Sequence, residues 1–461
     1  MKPSTNSPED KPSHPRRHFI KQTTLASASA AAASQGLLKN SLFAQNQAPS
    51  VGVIGANERI AVAYVGVGKQ GMAHVRHQKK HAGTNNIHQA AVCDVYDKHL
   101  RQAQAFLSLD DRDTYRDHRK MMERKDIDAV VVSTVDNWHA DVAIDAMESG
   151  KHVYGEKPMA RYLPECFQMY DTVKRTGAVF QIGSQFCAAP IYHQAAQWIR
   201  EGRLGPLVWG QGSYCRNNKR NSEWTFPNDP DATPDNLDWN RWLGKAPKIP
   251  FNPDHYFSWH KYYAYNSGIL GNLLPHRMLP LMLATGNPEY PRRVVCTGSR
   301  EISTDREITD TTHVLAEFPS GFTLVLAGTT VNEQGLEDII RGRQGTLYFA
   351  TGQNKLALRP ERVFADEIDS EDFNSGAPFG SVPELEKNWF DCIRSGKEPV
   401  GNIDLSIKAH TVLCLAEMSE RLGLALAFDP KTRRITTGNG KLVEPISYQS
   451  DAPIREPKPL T

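Results

Sequence analysis

Residues 59–74, RIAVAYVGVGKQGMAH, decide the fold of this 461-residue chain. The run from Ile60 to Val65 is short, apolar and rich in β-branched residues, which is typical of a buried parallel strand. A G-x-G-x-x-G turn follows at residues 66–71, and the segment after the turn can begin a helix. This order of strand, turn and helix is typical of a dinucleotide-binding sheet.

Each glycine of the turn has its own physical role. Gly66 permits the tight turn, Gly68 lets the backbone approach a pyrophosphate, and Gly71 lets the new helix pack close to the strand. The free N–H groups at the start of that helix would attract the phosphates. The next strand, residues 90–93, ends at Asp94, whose carboxylate is placed to accept a hydrogen bond from a ribose hydroxyl. These features together predict a dinucleotide site.

Composition indicates an ordinary globular protein of two or three domains. The chain is 39% hydrophobic and 23% charged, with a formal net charge of +2. It has no basic stripe with interleaved aromatic residues, so we expect no nucleic-acid partner. The seven cysteines are scattered without C-x-x-C spacing, which argues against a zinc site and against a disulfide framework.

The N-terminus resembles a twin-arginine export signal. Paired arginines at 16–17 precede Phe19, Ile20 and Lys21, and an Ala/Ser/Leu stretch follows over residues 23–38. That stretch is too short and too polar for a stable membrane span. We therefore expect a signal over residues 1–44, removed on export to the periplasm, and a linker over 45–58; the alternative is a disordered basic tail. The twin-arginine route carries folded proteins, which suits free thiols and a tightly retained nucleotide.

Strand and helix patterns alternate from residue 59 to residue 183, which predicts an α/β Rossmann domain with a doubly wound parallel sheet. From residue 184 to residue 425 the pattern changes, and several segments alternate like strands with one covered face. We expect an α+β domain there, with a large, mainly antiparallel open sheet. Its expected strands are 207–215, 293–300, 311–318, 322–330 and 345–350, and its expected helices include 191–201, 382–395 and 404–422. Residues 426–461 are expected to be a tail on the surface or against a partner subunit.

Two segments carry side chains suited to proton transfer. Residues 155–158, GEKP, end a strand at the carboxyl edge of the sheet, where ligands bind. Lys157 could exchange a proton with a substrate hydroxyl while Glu156 holds its ammonium; the alternative is an ordinary surface turn. Asn272 and His276 would share one face of a helix, with His276 as acid/base and the amide positioning the substrate, unless the histidine is structural.

Two further groups have helical or aromatic character without a clear role. His74, His77 and His81 share helical spacing, but no carboxylate or cysteine accompanies them, so we expect a solvated helix face and no metal site. A set of aromatic residues could stack on sugar rings or belong to the core, and the sequence does not separate the two. These are Trp239, Trp242, Trp259, Tyr262 and Tyr263.

Over residues 59–425 the chain resembles the glucose–fructose oxidoreductase, inositol dehydrogenase and rhizopine-catabolism family (Gfo/Idh/MocA). The resemblance rests on the glycine turn, the strand end at Asp94, STVDNWH at 133–139, GKHVYGEKP at 150–158 and the later N-x-x-x-H. It implies oxidation or reduction of sugars or cyclitols with NAD or NADP. It also implies a C-terminal α/β domain whose open sheet often serves in oligomerisation.

The resemblance makes Lys157 the catalytic lysine, supported by Pro158, and His276 the acid/base. It places residues of the turn and of the strand ends on the cofactor side: Gly66, Gly68, Lys69, Gln70, Gly71, Asp94, Thr134, Asn137, His139, Glu156 and Lys157. Asp94 favours NAD, because a carboxylate repels a 2′-phosphate, while NADP stays open if a lysine or arginine offsets that charge.

Asn272 departs from the family pattern, which usually has Asp four residues before the histidine. An amide can neither take a proton nor hold an imidazolium by charge, so we expect His276 to be a weaker base and Lys157 to do more of the proton transfer. The sequence thus predicts an exported NAD(P)-dependent oxidoreductase of a sugar or polyol, assembled as a homodimer or homotetramer. The alternatives are redox-assisted glycoside cleavage, against which the Glu-Lys-Pro triplet argues, and a binding scaffold with weakened catalysis.

Overall fold

A computed structural model describes most of the chain, namely residues 58–220, 223–377, 379–450, 453–454 and 456–458. The expected signal at 1–44 and all but the last residue of the expected linker lie outside these residues. Among the described helices, none combines the length and the apolar character that a membrane crossing requires.

The first sheet is built from six strands: β1 (Ile60–Val65), β2 (Ile87–Cys93), β3 (Thr114–Tyr115), β4 (Ala129–Val132), β5 (His152–Glu156) and β6 (Phe180–Gly183). Their order is β3-β2-β1-β4-β5-β6, and all neighbours are parallel. The order reverses between β1 and β4, so a crevice opens at the carboxyl edge of the sheet. The predicted Rossmann sheet is confirmed.

Helices cover both faces of this sheet because its strands are apolar on both faces. Val62, Tyr64 and Val131 pack on one face, while Val65 and Val130 pack on the other. The helices in this part of the chain are α1 (Lys69–Lys80), α2 (Ala82–Asn85), α3 (Asp97–Leu107), α4 (His118–Met122), α5 (Asp136–Glu148) and α6 (Leu163–Thr176).

The second sheet has eleven strands: β7 (Leu207–Cys215), β8 (Arg293–Ser299), β9 (Thr311–Glu317), β10 (Thr323–Thr329), β11 (Asp338–Gly342), β12 (Gly345–Ala350), β13 (Lys355–Pro360), β14 (Glu371–Asn374), β15 (Leu426–Asp429), β16 (Arg434–Thr437) and β17 (Leu442–Val443). Their order is β14-β13-β12-β11-β7-β10-β9-β8-β15-β16-β17, and only β7 and β10 pair in parallel. The predicted second domain with a mainly antiparallel sheet is confirmed. Residues 426–443, which the sequence places in a tail, extend this sheet beyond β8.

One face of the second sheet is covered by helices and the other is open. In β8 and β9 the residues alternate between buried and exposed, as the sequence pattern predicts. The helices of this part are α7 (Pro190–Arg200), α8 (Trp239–Leu243), α9 (Pro253–Phe257), α10 (Ile269–Asn272), α11 (Pro275–Ala284), α12 (Val382–Ser395) and α13 (Ile403–Leu422).

Helix α12 returns to the first sheet although it lies far along the chain. Leu385, Trp389 and Phe390 are wholly buried and pack with Tyr64 and Tyr154. The Trp389 ring lies 5.7 Å from that of Tyr154, edge to face. The core of the first sheet is therefore completed by a helix from the C-terminal part, and the chain from residue 60 onward packs as one unit.

Candidate functional site

The glycine turn is shaped by close backbone packing. Gly66 has a φ of +81°, and a Cβ atom there would lie 2.7 Å from the carbonyl oxygen of Ser133. A Cβ atom on Gly71 would lie 1.9 Å from the carbonyl oxygen of Gly66. Neither position accepts a side chain, so strand β1, the turn and helix α1 hold one geometry.

Asp94 fixes the turn from the next strand. Its Oδ2 accepts from the backbone N–H of Val67 at 2.8 Å, and its Oδ1 accepts from that of Tyr96 at 2.9 Å. The carboxylate is 7% exposed, so most of its surface faces the protein. Asp94 thus joins the carboxyl end of β2 to the glycine turn.

These residues fit a dinucleotide. Around Gly68, an added Cβ would meet only the His99 ring at 3.6 Å or more, so the backbone there is open to a ligand. Helix α1 has no side-chain cap and no acidic residue in its first turn, which leaves its N–H groups for an anion. The turn would hold the pyrophosphate, and the edge at Asp94 would lie beside a ribose.

The other predicted cofactor-side residues lie in three places. Lys69 and Gln70 begin α1, Thr134, Glu156 and Lys157 lie at the ends of β4 and β5, and Asn137 and His139 lie in the first turn of α5. The His139 ring lies between the carbonyl oxygens of Pro158, 2.6 Å from Nδ1, and Thr134, 3.1 Å from Nε2. Burial lowers the pKa of His139. Asn137 is buried, and its amide donates to the carbonyl of Leu243 at 3.2 Å. His139 thus ties the two strand ends together, while Asn137 ties α5 to the end of α8.

The structure brings Lys157, Asn272 and His276 into one site. Lys157 Nζ donates to the backbone carbonyl of Asn272 at 3.2 Å. The His276 ring packs beside Phe186 and Tyr214, with ring centres 5.8 and 5.6 Å away. Its Nδ1 is buried and has no hydrogen-bond partner among the described residues. Burial, together with the charge of Lys157, lowers the pKa of His276 to about 3, so the imidazole is neutral at physiological pH.

Asn272 and His276 do not lie on one continuous helix. Helix α10 ends at Asn272, and α11 begins at Pro275. The Asn272 Nδ2 donates to Asn266 Oδ1 and to the carbonyl of Gly268, both at 3.1 Å. Both amide donors are therefore used within the loop and helix that carry Asn272, and what reaches Lys157 is the backbone carbonyl.

The prediction that His74 lies on a solvated face of α1 is wrong, because the residue is wholly buried. Its Nε2 lies 2.8 Å from Glu156 Oε1, and its Nδ1 lies 2.6 Å from Glu386 Oε1. Burial opposes its charge, but the two carboxylates outweigh that effect and raise the pKa of His74 to about 9. Burial likewise opposes the charge of Glu156, but His74 and Lys157 hold the pKa of Glu156 at about 2. The expectation failed because both partners are far from His74 along the chain.

Two residues of the site carry no prediction from sequence. Asp136 begins α5, is 2% exposed, and its Oδ2 has no hydrogen-bond partner among the described residues. Burial raises the pKa of Asp136 to about 7, although the charge of Lys157 opposes the shift. The His260 ring stacks on Trp259 at 3.7 Å, and burial with the charges of Lys157 and Lys69 lowers the pKa of His260 to about 3. Asp136 belongs to the STVDNWH segment at the strand edge, so its position in the sequence does indicate a site residue. His260 lies in an aromatic stretch whose pattern does not indicate a functional residue.

Most of the aromatic set belongs to the core. Trp239, Trp242, Tyr262 and Tyr263 are each less than a tenth exposed, and Trp259 is half-buried against His260. Of the five, only Trp259 is partly exposed, so only Trp259 has a ring surface that a sugar could contact.

Two family models match this chain. The oxidoreductase family with an NAD-binding Rossmann fold matches residues 60–184, and the C-terminal alpha/beta domain of the same oxidoreductase family matches residues 222–448. Together they cover more than half of the chain. The chain belongs to the Gfo/Idh/MocA oxidoreductase family. The predictions of the family, of an NAD-binding Rossmann domain and of an oxidoreductase are confirmed at this level.

Known relatives include glycoside hydrolases. The α-N-acetylgalactosaminidase of Shewanella oneidensis (strain MR-1) is 31% identical over 211 residues, which cover 43% of this chain and 45% of that protein. Glycosyl hydrolase family 109 protein 1 of Shewanella sp. (strain ANA-3) is 30% identical over 214 residues with the same coverage. The match thus spans less than half the length of these relatives.

Solved structures of sugar dehydrogenases share the fold. Levoglucosan dehydrogenase in complex with NADH has a TM-score of 0.60 at 18% identity, covering 78% of this chain and 98% of that chain. The aldose–aldose oxidoreductase from Caulobacter crescentus, complexed with glycerol, has a TM-score of 0.60 at 19% identity, covering 80% and 100%. The shared fold therefore extends over about four fifths of this chain.

Asp136→Asn should stabilise the protein increasingly as pH rises from about 4 to 7. In wild type, a folded-state pKa of about 7 for Asp136 means that the folded protein binds this proton more tightly than the unfolded chain. The wild type therefore loses stability as pH rises through this window, whereas the asparagine variant does not. The gain should reach up to about 4 kcal/mol above pH 7. Urea unfolding at pH 4.5, 6 and 8 measures it.

The matched control for that measurement is Asp126→Asn. Asp126 pairs with Arg124, which lowers the pKa of Asp126 to about 2, so its contribution should not change over the same window. A difference between wild type and Asp136→Asn that is equal at all three pH values would contradict the prediction.

Asn272→Asp should destabilise the protein at pH 8 by about 2 kcal/mol, because a carboxylate oxygen would replace the donor that faces Asn266 Oδ1 and the Gly268 carbonyl. Asn388→Asp is the control, since Asn388 uses its Oδ1 to accept from the Val400 N–H and an aspartate keeps that bond. Chemical denaturation of the three proteins decides the point. Equal stability of Asn272→Asp and wild type would show that the loop accommodates the charge.

Proposed function

We propose that the protein is an NAD-dependent oxidoreductase acting on a CH–OH or carbonyl group of a sugar or polyol. The observation that carries the proposal is the meeting of Lys157 and His276 at the carboxyl edge beside a turn that fits a dinucleotide. When bound, NAD supplies the centre that accepts or returns the hydride. The residues of the chain must then bind the sugar and move the hydroxyl proton.

Lys157 is placed to move that proton. Its Nζ is held by the Asn272 carbonyl, which fixes its position without neutralising its charge. Neutral His276 is only partly buried, so the accessible edge of its imidazole can form a hydrogen bond with the same hydroxyl. Its low basicity assigns most of the proton transfer to Lys157. Phe186 and Tyr214 pack around the imidazole and limit the access of water.

Lys157→Met should abolish turnover and leave nucleotide affinity within about twofold, because it removes the proton carrier and keeps the glycine turn. Reduction of NAD with a panel of aldoses and polyols, and NAD binding by calorimetry, are the two measurements. Lys387→Met is the control, since Lys387 is exposed and pairs with Asp391 on α12. Turnover by the Lys157→Met variant would show that Lys157 does not carry the proton.

Redox-assisted glycoside cleavage is the second candidate, and the names of the Shewanella relatives favour it. In such a reaction hydride is taken up and returned, so NADH shows no net change. An aryl α-N-acetylgalactosaminide incubated with enzyme and NAD distinguishes the two. Release of the aryl group without NADH would support cleavage, and NADH formation with a free sugar would support simple oxidoreduction.

We propose that the nucleotide is retained and that the protein is exported through the twin-arginine pathway. The support is the motif at residues 16–21 and the seven free thiols, five of them buried. Mass spectrometry of protein denatured without added nucleotide tests retention and distinguishes NAD from NADP.

Replacing both Arg16 and Arg17 by lysine should keep the protein in the cytoplasm, and export of that variant would refute the route.

We also propose a homodimer or homotetramer joined through the open face of the second sheet. Val295 and Leu315 lie opposite each other on β8 and β9, and they are 39% and 41% exposed. An exposed apolar pair on the open face of a sheet suits burial against a second copy. Sedimentation of Leu315→Glu should show monomers where the wild type is oligomeric; a monomeric wild type would end the proposal.

A further inference from the structure

A buried network connects helix α1 to the residue that precedes the catalytic lysine. Glu156 Oε1 accepts from Gln70 Nε2 at 2.9 Å and from His74 Nε2 at 2.8 Å. Gln70 and His74 lie on successive turns of α1, the helix whose start forms the nucleotide turn. The side chain of Glu156 is thus held by the helix that would hold the phosphates.

The network continues from His74 into helix α12. Glu386 Oε1 accepts from His74 Nδ1 at 2.6 Å and from Gln78 Nε2 at 3.1 Å, and Glu386 is 1% exposed. Gln78 Oε1 accepts in turn from the Tyr64 hydroxyl at 2.6 Å. Both ring nitrogens of His74 face carboxylates, which only accept, so both must donate and the ring is an imidazolium.

Lys157 remains outside this network although it follows Glu156 directly. Among the described residues, its ammonium forms no ion pair within 4.0 Å and donates only to the Asn272 carbonyl. Glu156 Oε2 accepts from the backbone N–H of Lys157 at 3.2 Å. Glu156 is 7% exposed, so its charge needs a partner inside the protein, and the imidazolium of His74 at 2.8 Å supplies it.

We propose that His74 is a positioning residue whose imidazolium binds Glu156 to helix α1 and thereby leaves the ammonium of Lys157 unpaired and available to the substrate. The step to the substrate rests on the proposed function; the effect on Lys157 does not. Two carboxylates share one imidazolium, so the triad keeps one negative charge in the interior. Loss of the imidazolium would leave the Glu156 carboxylate without its ion-pair partner, and Lys157, whose charge already acts on Glu156, would then pair with it.

A purely structural role for His74 is the competing explanation, because Glu386 connects it to α12. The two roles separate in the double variant His74→Gln/Glu386→Gln. That variant removes the isolated carboxylate of Glu386 and should recover most of the thermal stability that His74→Gln loses. It leaves Glu156 without a cation, so only the positioning role predicts a lasting change at Lys157.

The test measures acetylation of Lys157 by acetic anhydride in nucleotide-free protein, by mass spectrometry, relative to the exposed Lys125 of the same chain. In the double variant we expect Lys157 to react about tenfold more slowly than in wild type, because an ion-paired ammonium keeps its proton. Adding Glu156→Gln should restore the wild-type rate. His81→Gln, at the end of α1, is the control and should change nothing.

An unchanged rate at Lys157 in a double variant with recovered stability would overturn the proposal. If the double variant does not fold, the single variant Glu386→Gln decides, because it keeps the ion pair between His74 and Glu156. Its stability should fall, while the acetylation rate of Lys157 stays at the wild-type value. A slower rate at Lys157 would contradict the proposal. Acetylation of Lys157 requires neither nucleotide nor sugar. Its result therefore tests the positioning role of His74 independently of the oxidoreductase assignment.

Discussion

The packing of Gly71 on the carbonyl oxygen of Gly66 determines the direction in which helix α1 leaves the first sheet. A single methyl group at Gly71 would overlap that oxygen, so the helix can approach the strand only with hydrogen at this position. Along this direction Gln70 and His74 reach Glu156 at the end of β5. The same contact thus sets both the place of the N–H groups at the turn and the surroundings of Lys157.

Three histidines of this site, one wholly buried and two partly buried, differ in their charge states. His74 faces two carboxylates and is charged, whereas His276 and His260 face the ammonium of Lys157 and are neutral. Burial acts in the same direction on all three, and the sign of the neighbouring charge makes the difference. The charge of Lys157 therefore adds to the effect of burial in keeping these two imidazoles neutral.

The local patterns of the chain predict the first sheet best where a strand is a short apolar run, as in β1 and β4, and where a glycine or an acid marks the turn that follows. Strands β3, β11, β13 and β14 are not predicted from the sequence, and β15 to β17 are placed in a tail. Of these, β3 and β17 have two residues each, too few to show an alternating pattern. His74 shows what local patterns could not predict in the site. Its partners Glu156 and Glu386 lie 82 and 312 residues away along the chain, and the helical spacing of the histidines gives no information on either. The role of Asn272 escaped for the same reason, because its backbone carbonyl, and not its amide, meets Lys157.

The return of α12 to the first sheet has a consequence for synthesis of the chain. When translation has proceeded only as far as β6, Tyr64 and Tyr154 have no Trp389 or Phe390 to cover them. Glu386, which holds the far side of His74, is also still to be made. The nascent Rossmann half therefore leaves the ribosome with part of one sheet face uncovered and with one ring nitrogen of His74 lacking its carboxylate partner, until α12 has been synthesised more than three hundred residues after β1.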